Sequence, residues 1–207
     1  MRYYYHPGSP NCRKVTAVVD LLGVDVERHL VDLPRGEQLQ PAFLAINPNG
    51  KVPVLVDGDH AIWESNAITI HLAESTGSEL WPADARRIDV LKWMFWEQGQ
   101  LMYAAGVPFF QRVLKPMLGL GEADEQRVKE ALGSFRRLAA VLDGQLEGRR
   151  FVLGDGLSLA DLAVAGNFSY AGPAGLPVAE FANITRWLGE LDRIPAWRDS
   201  APPAFGG

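Results

Sequence analysis

The 207 residues include 20 Lys and Arg against 25 Asp and Glu, a formal net charge of −5, and 47% of them are apolar. A mildly acidic chain with no basic run offers no electrostatic footprint for nucleic acid or an anionic lipid surface, and it is long enough to bury one large core or two small ones. The single cysteine, Cys12, excludes an internal disulfide framework, and no stretch reaches the roughly 18 consecutive apolar residues of a membrane span.

Elements are expected almost from the first residue, with no secretory leader, as in a soluble cytoplasmic protein. Tyr3–Tyr5 reads as a strand broken by Pro7-Gly8. A helix follows from Pro10, with Val15, Val18, Val19 and Leu22 at helical spacing and Gly23 as its stop. Residues 26–33 alternate as a second strand, ended by Pro34-Arg35-Gly36, and 40–46 read as a short helix. The segment NPNGKVPVLVDGDHAIWES, residues 47–65, is the most informative in the chain. It predicts an Asn-Pro-Asn-Gly turn, a strand Val52–Val56 that contains Pro53, a hairpin turn at Asp57-Gly58, and a strand ending at Trp63. A helix then opens at Glu64-Ser65 and runs to Ser75. A proline belongs at a strand's edge or start, so this backbone is expected to bend to receive a ligand.

After Gly77 the pattern becomes helical. Residues 78–86, with Trp81-Pro82, read as a linker between a domain over 1–77 and an all-helical domain over 87–207. Ile88, Leu91, Phe95 and Met102 mark one face of a long helix, and Trp93, Trp96, Gln100 and Tyr103 another, which predicts packing on both sides. Val128, Leu132, Phe135, Leu138 and Leu142 mark a helix between the Gly121 and Gly144 breaks. Ser158 with Asp161 three residues on predicts a helix start close to a capping box. Residues 184–191 form the last predicted helix, and the tail from Pro202 is expected to be loose. His6, His29, His60 and His71 show no metal-ligand spacing, so no metal is expected, although a role for His6 beside the Pro7-Gly8 loop stays open. The Gly8 and Gly50 turns lack the pattern of a phosphate loop.

The β-α-β-β-β-α order resembles the thioredoxin-like fold, and the whole chain resembles the cytosolic glutathione S-transferase superfamily, in the bacterial-type form with serine at the catalytic position. The resemblance is carried by Ser9-Pro10-Asn11-Cys12-Arg13, by Asn47-Pro48 with Gly50-Lys51-Val52-Pro53, by Glu64-Ser65, and more loosely by Ser158–Asp161. It implies an α/β thioredoxin-like domain followed by an all-α bundle. It also implies glutathione as co-substrate, a homodimer, and a small apolar electrophile in a cleft between the domains.

Under that resemblance Ser9 donates to the glutathione sulfur at a helix N-terminus, where unpaired N–H groups favour an anion. Its other reading is a plain helix cap. Asn11 is a second candidate donor, or simply a polar first-turn residue. Cys12 reads as an inert small hydrophobe, with a one-cysteine mixed disulfide as the alternative. Arg13 reads as a structural ion-pair partner. Glu64 would face the γ-glutamyl ammonium and Ser65 its carboxylate. Val52 would pair its backbone with the cysteinyl residue if the bond to Pro53 is cis, and Lys51 would reach the glycine carboxylate or stay solvated. Trp96, Tyr103 and Phe109 are the expected electrophile wall, or else core. Glutathione-dependent disulfide or peroxide reduction, and a non-catalytic transferase-like module, are the competing functions.

Overall fold

The computed structural model describes residues 1–203, which divide into two compact units: Met1–Trp81 together with Pro195–Pro203, and Pro82–Ile194. In the first unit the order is β1 (Arg2–Tyr5), α1 (Pro10–Leu22), β2 (Glu27–Leu30), α2 (Pro41–Leu44), β3 (Val54–Asp57), β4 (His60–Trp63) and α3 (Ser65–Ser75). The four strands form one mixed sheet in the order β2-β1-β3-β4. β1 and β2 are parallel, as a helical crossover allows, and β3 is antiparallel to both its neighbours.

Strand alternation sets the two faces. Val54 and Val56 pack with Val31 and Phe43 on one side. Leu55, opposite Tyr3 in the register, is fully buried on the other. There the Tyr3 hydroxyl donates 2.9 Å to the Cys12 carbonyl and lies 3.1 Å from Thr16 Oγ1, which ties β1 to α1. Three local readings shift. Pro53 lies ahead of β3, not inside it, because the ladder begins only at Val54. The hairpin turn is Gly58-Asp59, with Asp57 already paired to His60 and Gly58 at φ 58°. The second strand is four residues, shorter than the alternation over 26–33 indicated.

The second unit contains no named strand among its described residues. It comprises α4 (Arg86–Trp96), α5 (Met102–Phe109), α6 (Lys115–Met117), α7 (Glu125–Gln145), α8 (Leu159–Gly166), α9 (Ala171–Ala174) and α10 (Ala182–Asp192). π-helical turns over Glu97–Leu101 and Phe110–Leu114 join α4 to α5 and α5 to α6. The buried stripe of this long element is Val90, Trp93, Met94, Glu97, Leu101, Ala104 and Ala105. The predicted face through Ile88 and Phe95 is instead 67% and 71% exposed, and Tyr103, grouped by periodicity with Trp93, is 70% exposed. Tyr103 follows the π turn over Glu97–Leu101, which shifts the angular phase of every residue after it, so a constant 3.6-residue period misassigns its face. Ile88 and Phe95 precede that turn and are exposed because α4 buries Val90, Trp93 and Met94. Small Ala104 and Ala105, and not Tyr103, are the residues of α5 buried at this level.

The predicted capping box is present at the start of α8. Asp161, fully buried, accepts from Ser158 N (3.0 Å), Ser158 Oγ (2.8 Å), Val152 N (2.8 Å) and Trp187 Nε1 (3.0 Å). Burial pushes its carboxyl above the usual carboxylate range, against the pull of those four donors. One further helix, α11 (Pro195–Asp199), falls in the first unit, although the sequence assigned its residues to the helical domain. Of the segment predicted to be loose, only residues up to 203 are described; the rest lies outside the described residues.

Candidate functional site

Ser9 is the N-cap of α1. Its extended backbone (φ −93°, ψ 120°) turns the chain into the helix, Pro10 fills the first helical position, and its Oγ accepts from Cys12 N at 3.3 Å. Capping uses an acceptor lone pair and leaves the O–H proton available to donate. The cap and the donor readings of Ser9 are therefore compatible.

The start of α3 lies next to the start of α1. Ser65, 6% exposed, directs its Oγ to Asn11 Oδ1 at 3.5 Å, a weak contact that nonetheless brings Asn11 and Ser65 together. Glu64, the residue before α3, has φ 71° and ψ 114° and makes no capping bond through its side chain. A non-glycine residue held there costs on the order of 1–3 kcal/mol, and such strain persists where the surrounding structure over-determines it. Among the described residues it is the only non-glycine with positive φ.

The third component is backbone. Asn47, 2% exposed, donates from Nδ2 to the Lys51 carbonyl at 2.6 Å and accepts from Asn49 N at 3.0 Å, which holds the turn that delivers Val52. The Val52–Pro53 bond is cis. Val52 precedes the ladder, so its backbone groups are not used in pairing β3 to β1 or β4. Lys51 is exposed at the same turn.

Cys12 is 1% exposed, and burial pushes its thiol up to about 11. A buried neutral thiol is a poor nucleophile, which argues against the mixed-disulfide alternative. Native protein at pH 8 should therefore leave Cys12 unlabelled by iodoacetamide over an hour, with full labelling in denaturant. Rapid native labelling would contradict the buried placement. Arg13 stacks on Trp197: its guanidinium lies 3.9 Å from the centre of the ring and Nη2 donates to the Trp197 carbonyl at 3.4 Å. This contact anchors α11 to α1. Sequence reading missed Lys14 and Asn66. Lys14 is 1% exposed and donates to Asn66 Oδ1 at 3.4 Å, linking α1 to α3 below the site. Its signal was a lysine one helical turn before Val18, on the apolar face.

In the helical unit the three expected aromatics have different immediate neighbours. Trp96 packs edge-on to Trp93 at 4.9 Å, and Phe109 stacks on Tyr170 at 4.4 Å. Tyr103 instead lines a groove of about 440 Å³ with Met102, Val107, Phe110 and Arg127. Among the described residues no group of three or more His, Cys, Asp or Glu is arranged to hold a metal, and no helix is long and apolar enough to cross a membrane.

The chain matches the family model described as glutathione S-transferase, N-terminal domain, over residues 1–74, and the one described as glutathione S-transferase, C-terminal domain, over residues 97–195. Among solved structures it is similar to a glutathione transferase from Burkholderia graminis with two glutathione molecules bound per subunit. Identity is 30%, covering 100% of this chain and 89% of that one, with TM-score 0.85. It is also similar to a delta-class glutathione transferase from Nilaparvata lugens (31% identity, 96% and 92% covered, TM-score 0.83). A third is a glutathione transferase family member from Pseudomonas fluorescens with two glutathione bound (28% identity, 98% and 92% covered, TM-score 0.87).

Proposed function

Since the chain belongs to the glutathione S-transferase family, we propose that it is an enzyme that binds glutathione in its thioredoxin-like unit and presents the sulfur, as thiolate, to a small apolar electrophile. The observation that carries this reading is the meeting of two helix starts, with Ser9 and Asn11 on one and Glu64 and Ser65 on the other.

The roles follow from charge. A free thiol has a pKa near ~8.5, so only a few per cent is ionised at neutral pH. Ser9 Oγ–H, with Asn11 as reserve donor, stabilises the anion and not the neutral form, and the orphan N–H groups of α1 add to this. Glu64 takes the γ-glutamyl ammonium; Ser65 and the first amides of α3 take its carboxylate. Val52 offers N–H and C=O to the cysteinyl backbone, and Lys51 a charge to the glycine carboxylate. Catalysis is then positioning plus thiolate stabilisation, with no covalent intermediate on the protein. Trp96, Tyr103 and Phe109 are the proposed electrophile contacts, and Tyr103, exposed on a groove, has the best support. We take the working form to be a homodimer in the cytoplasm; exposed Ile88 and Phe95 on α4 support the dimer.

Retention on immobilised glutathione, followed by conjugation of an aryl halide and reduction of a glutathione mixed disulfide, tests the proposal. Retention with conjugation supports it. Retention without turnover favours a binding module, and reduction without conjugation a reductase. Glu64 gives a separate check. Glu64→Gly should bind glutathione about 10-fold more weakly, through loss of the charge-assisted contact, yet raise unfolding free energy by about 1 kcal/mol because glycine tolerates φ 71°. Unchanged affinity would remove Glu64 from the tripeptide site.

A further inference from the structure

The residue that leads from β1 into the catalytic loop, His6, makes three bonds that all serve that loop. Its carbonyl accepts from Ser9 N at 3.0 Å, and its N–H points to Cys12 Sγ at 3.5 Å. Its ring Nδ1 accepts from Gly8 N at 3.1 Å. The last bond has the span of an Asx turn, in which a side-chain acceptor captures the amide two residues on. Here an imidazole plays the part usually given to asparagine. Such a bond exists only when Nδ1 lacks a proton, so it selects the neutral ring protonated at Nε2.

We infer that His6 is a positioning residue for Ser9: its neutral Nδ1 fixes the Gly8 amide, the loop so held aims the Ser9 hydroxyl, and protonation of the ring releases it. The inference rests on the conjugation reading above, because it concerns where the Ser9 proton points. Burial of the ring lowers its pKa from the usual histidine value. The charged group acting against this is Asp32, after β2, which favours the cation and is itself engaged by Arg35 at 3.5 Å. The facing group on α1 is Cys12, a thiol whose pKa is raised to about 11, so it brings no charge at neutral pH. The neutral form therefore holds at pH 7 and is lost on acidification.

Two substitutions separate this role from simple filling of space. His6→Leu keeps volume and removes the acceptor; kcat should fall about 10-fold, with the glutathione KM within about 2-fold, because the error is one of aim and not of binding. His6→Asn places an amide oxygen where Nδ1 was and cannot titrate; kcat at pH 7.5 should return to within about 3-fold of the parent. The ratio of parent to His6→Asn activity should be flat at neutral pH and above and fall with one proton on acidification below the ordinary histidine value, since thiol ionisation affects both alike. If His6→Asn is as impaired as His6→Leu at equal melting temperature, if His6→Leu is fully active, or if the two acid limbs are parallel, the inference is wrong. Should the parent conjugate nothing, the proposed function fails and His6 is read without it. Nitrogen NMR of the ligand-free protein should then show the Nε2–H tautomer and slow exchange of the Gly8 amide at pH 7.5, lost in His6→Leu and kept in His6→Asn. The opposite tautomer, or equal Gly8 exchange in both variants, would overturn it.

Discussion

Replacing Ser9 with alanine is expected to lower conjugation turnover by about 10- to 100-fold, the value of one hydrogen bond to a charged acceptor, ~1.5–3 kcal/mol. The bound thiol should titrate about one to two units higher, and the pH–rate curve should move to alkaline pH by the same amount. Glutathione affinity should change less than about 3-fold, because the tripeptide ends are assigned to other residues. The same substitution removes the α1 cap, in which Oγ accepts from Cys12 N at 3.3 Å, so a stability loss of about 1 kcal/mol should accompany it. Ser9→Gly is the control: it costs only a few tenths of a kcal/mol as a cap and yet should lose the same turnover. A full rate in both variants would transfer the sulfur contact to Asn11.

Asp161→Ala is expected to have the largest effect on stability. Four donors converge on this buried carboxylate: two backbone amides, the Ser158 hydroxyl and the Trp187 indole. Alanine leaves them without an acceptor in a site that water does not reach. Unsatisfied buried groups cost ~1–3 kcal/mol each and are partly relieved by relaxation, so a loss of about 3–5 kcal/mol follows. For a protein of this size that lowers the melting temperature by roughly 10 °C. Ser158→Ala removes one donor and one cap, and should cost about 1 kcal/mol. A fall of less than about 2 °C for Asp161→Ala would show that the network is not holding α8 to Val152 and Trp187.

Much of the first unit was readable from local chemistry. Pro10 and Gly23 bound α1 because one needs no N–H and the other accepts φ 61°, and both effects act within a few residues. Ser158 and Asp161 announce α8 for the same reason. Pro53 was placed one step inside the strand because a proline beside a run of Val and Leu looks the same to a pattern whether the ladder begins before or after it. The helical unit was less legible. Periodicity reports which residues could share a face, but the π turns after Trp96 and Phe109 rotate that face. The choice of Ala104, Ala105 and Glu97 for burial depends on the helices opposite.

The chain's own residue order determined the element types and the two-part organisation, since these follow from propensities and spacings that span a few residues; Ser9, Asn11, Val52, Glu64 and Ser65 became candidates through the family resemblance that their motifs carry. Only the tertiary structure decided that Asn11 meets Ser65, that Cys12 is sealed from solvent, that Glu64 takes a positive φ, and that Trp197 returns to cover Arg13. Those outcomes pair residues 54 and 184 positions apart, or depend on burial by the surrounding fold. They are set by which surfaces close-pack and exclude water, a property no short window of sequence contains.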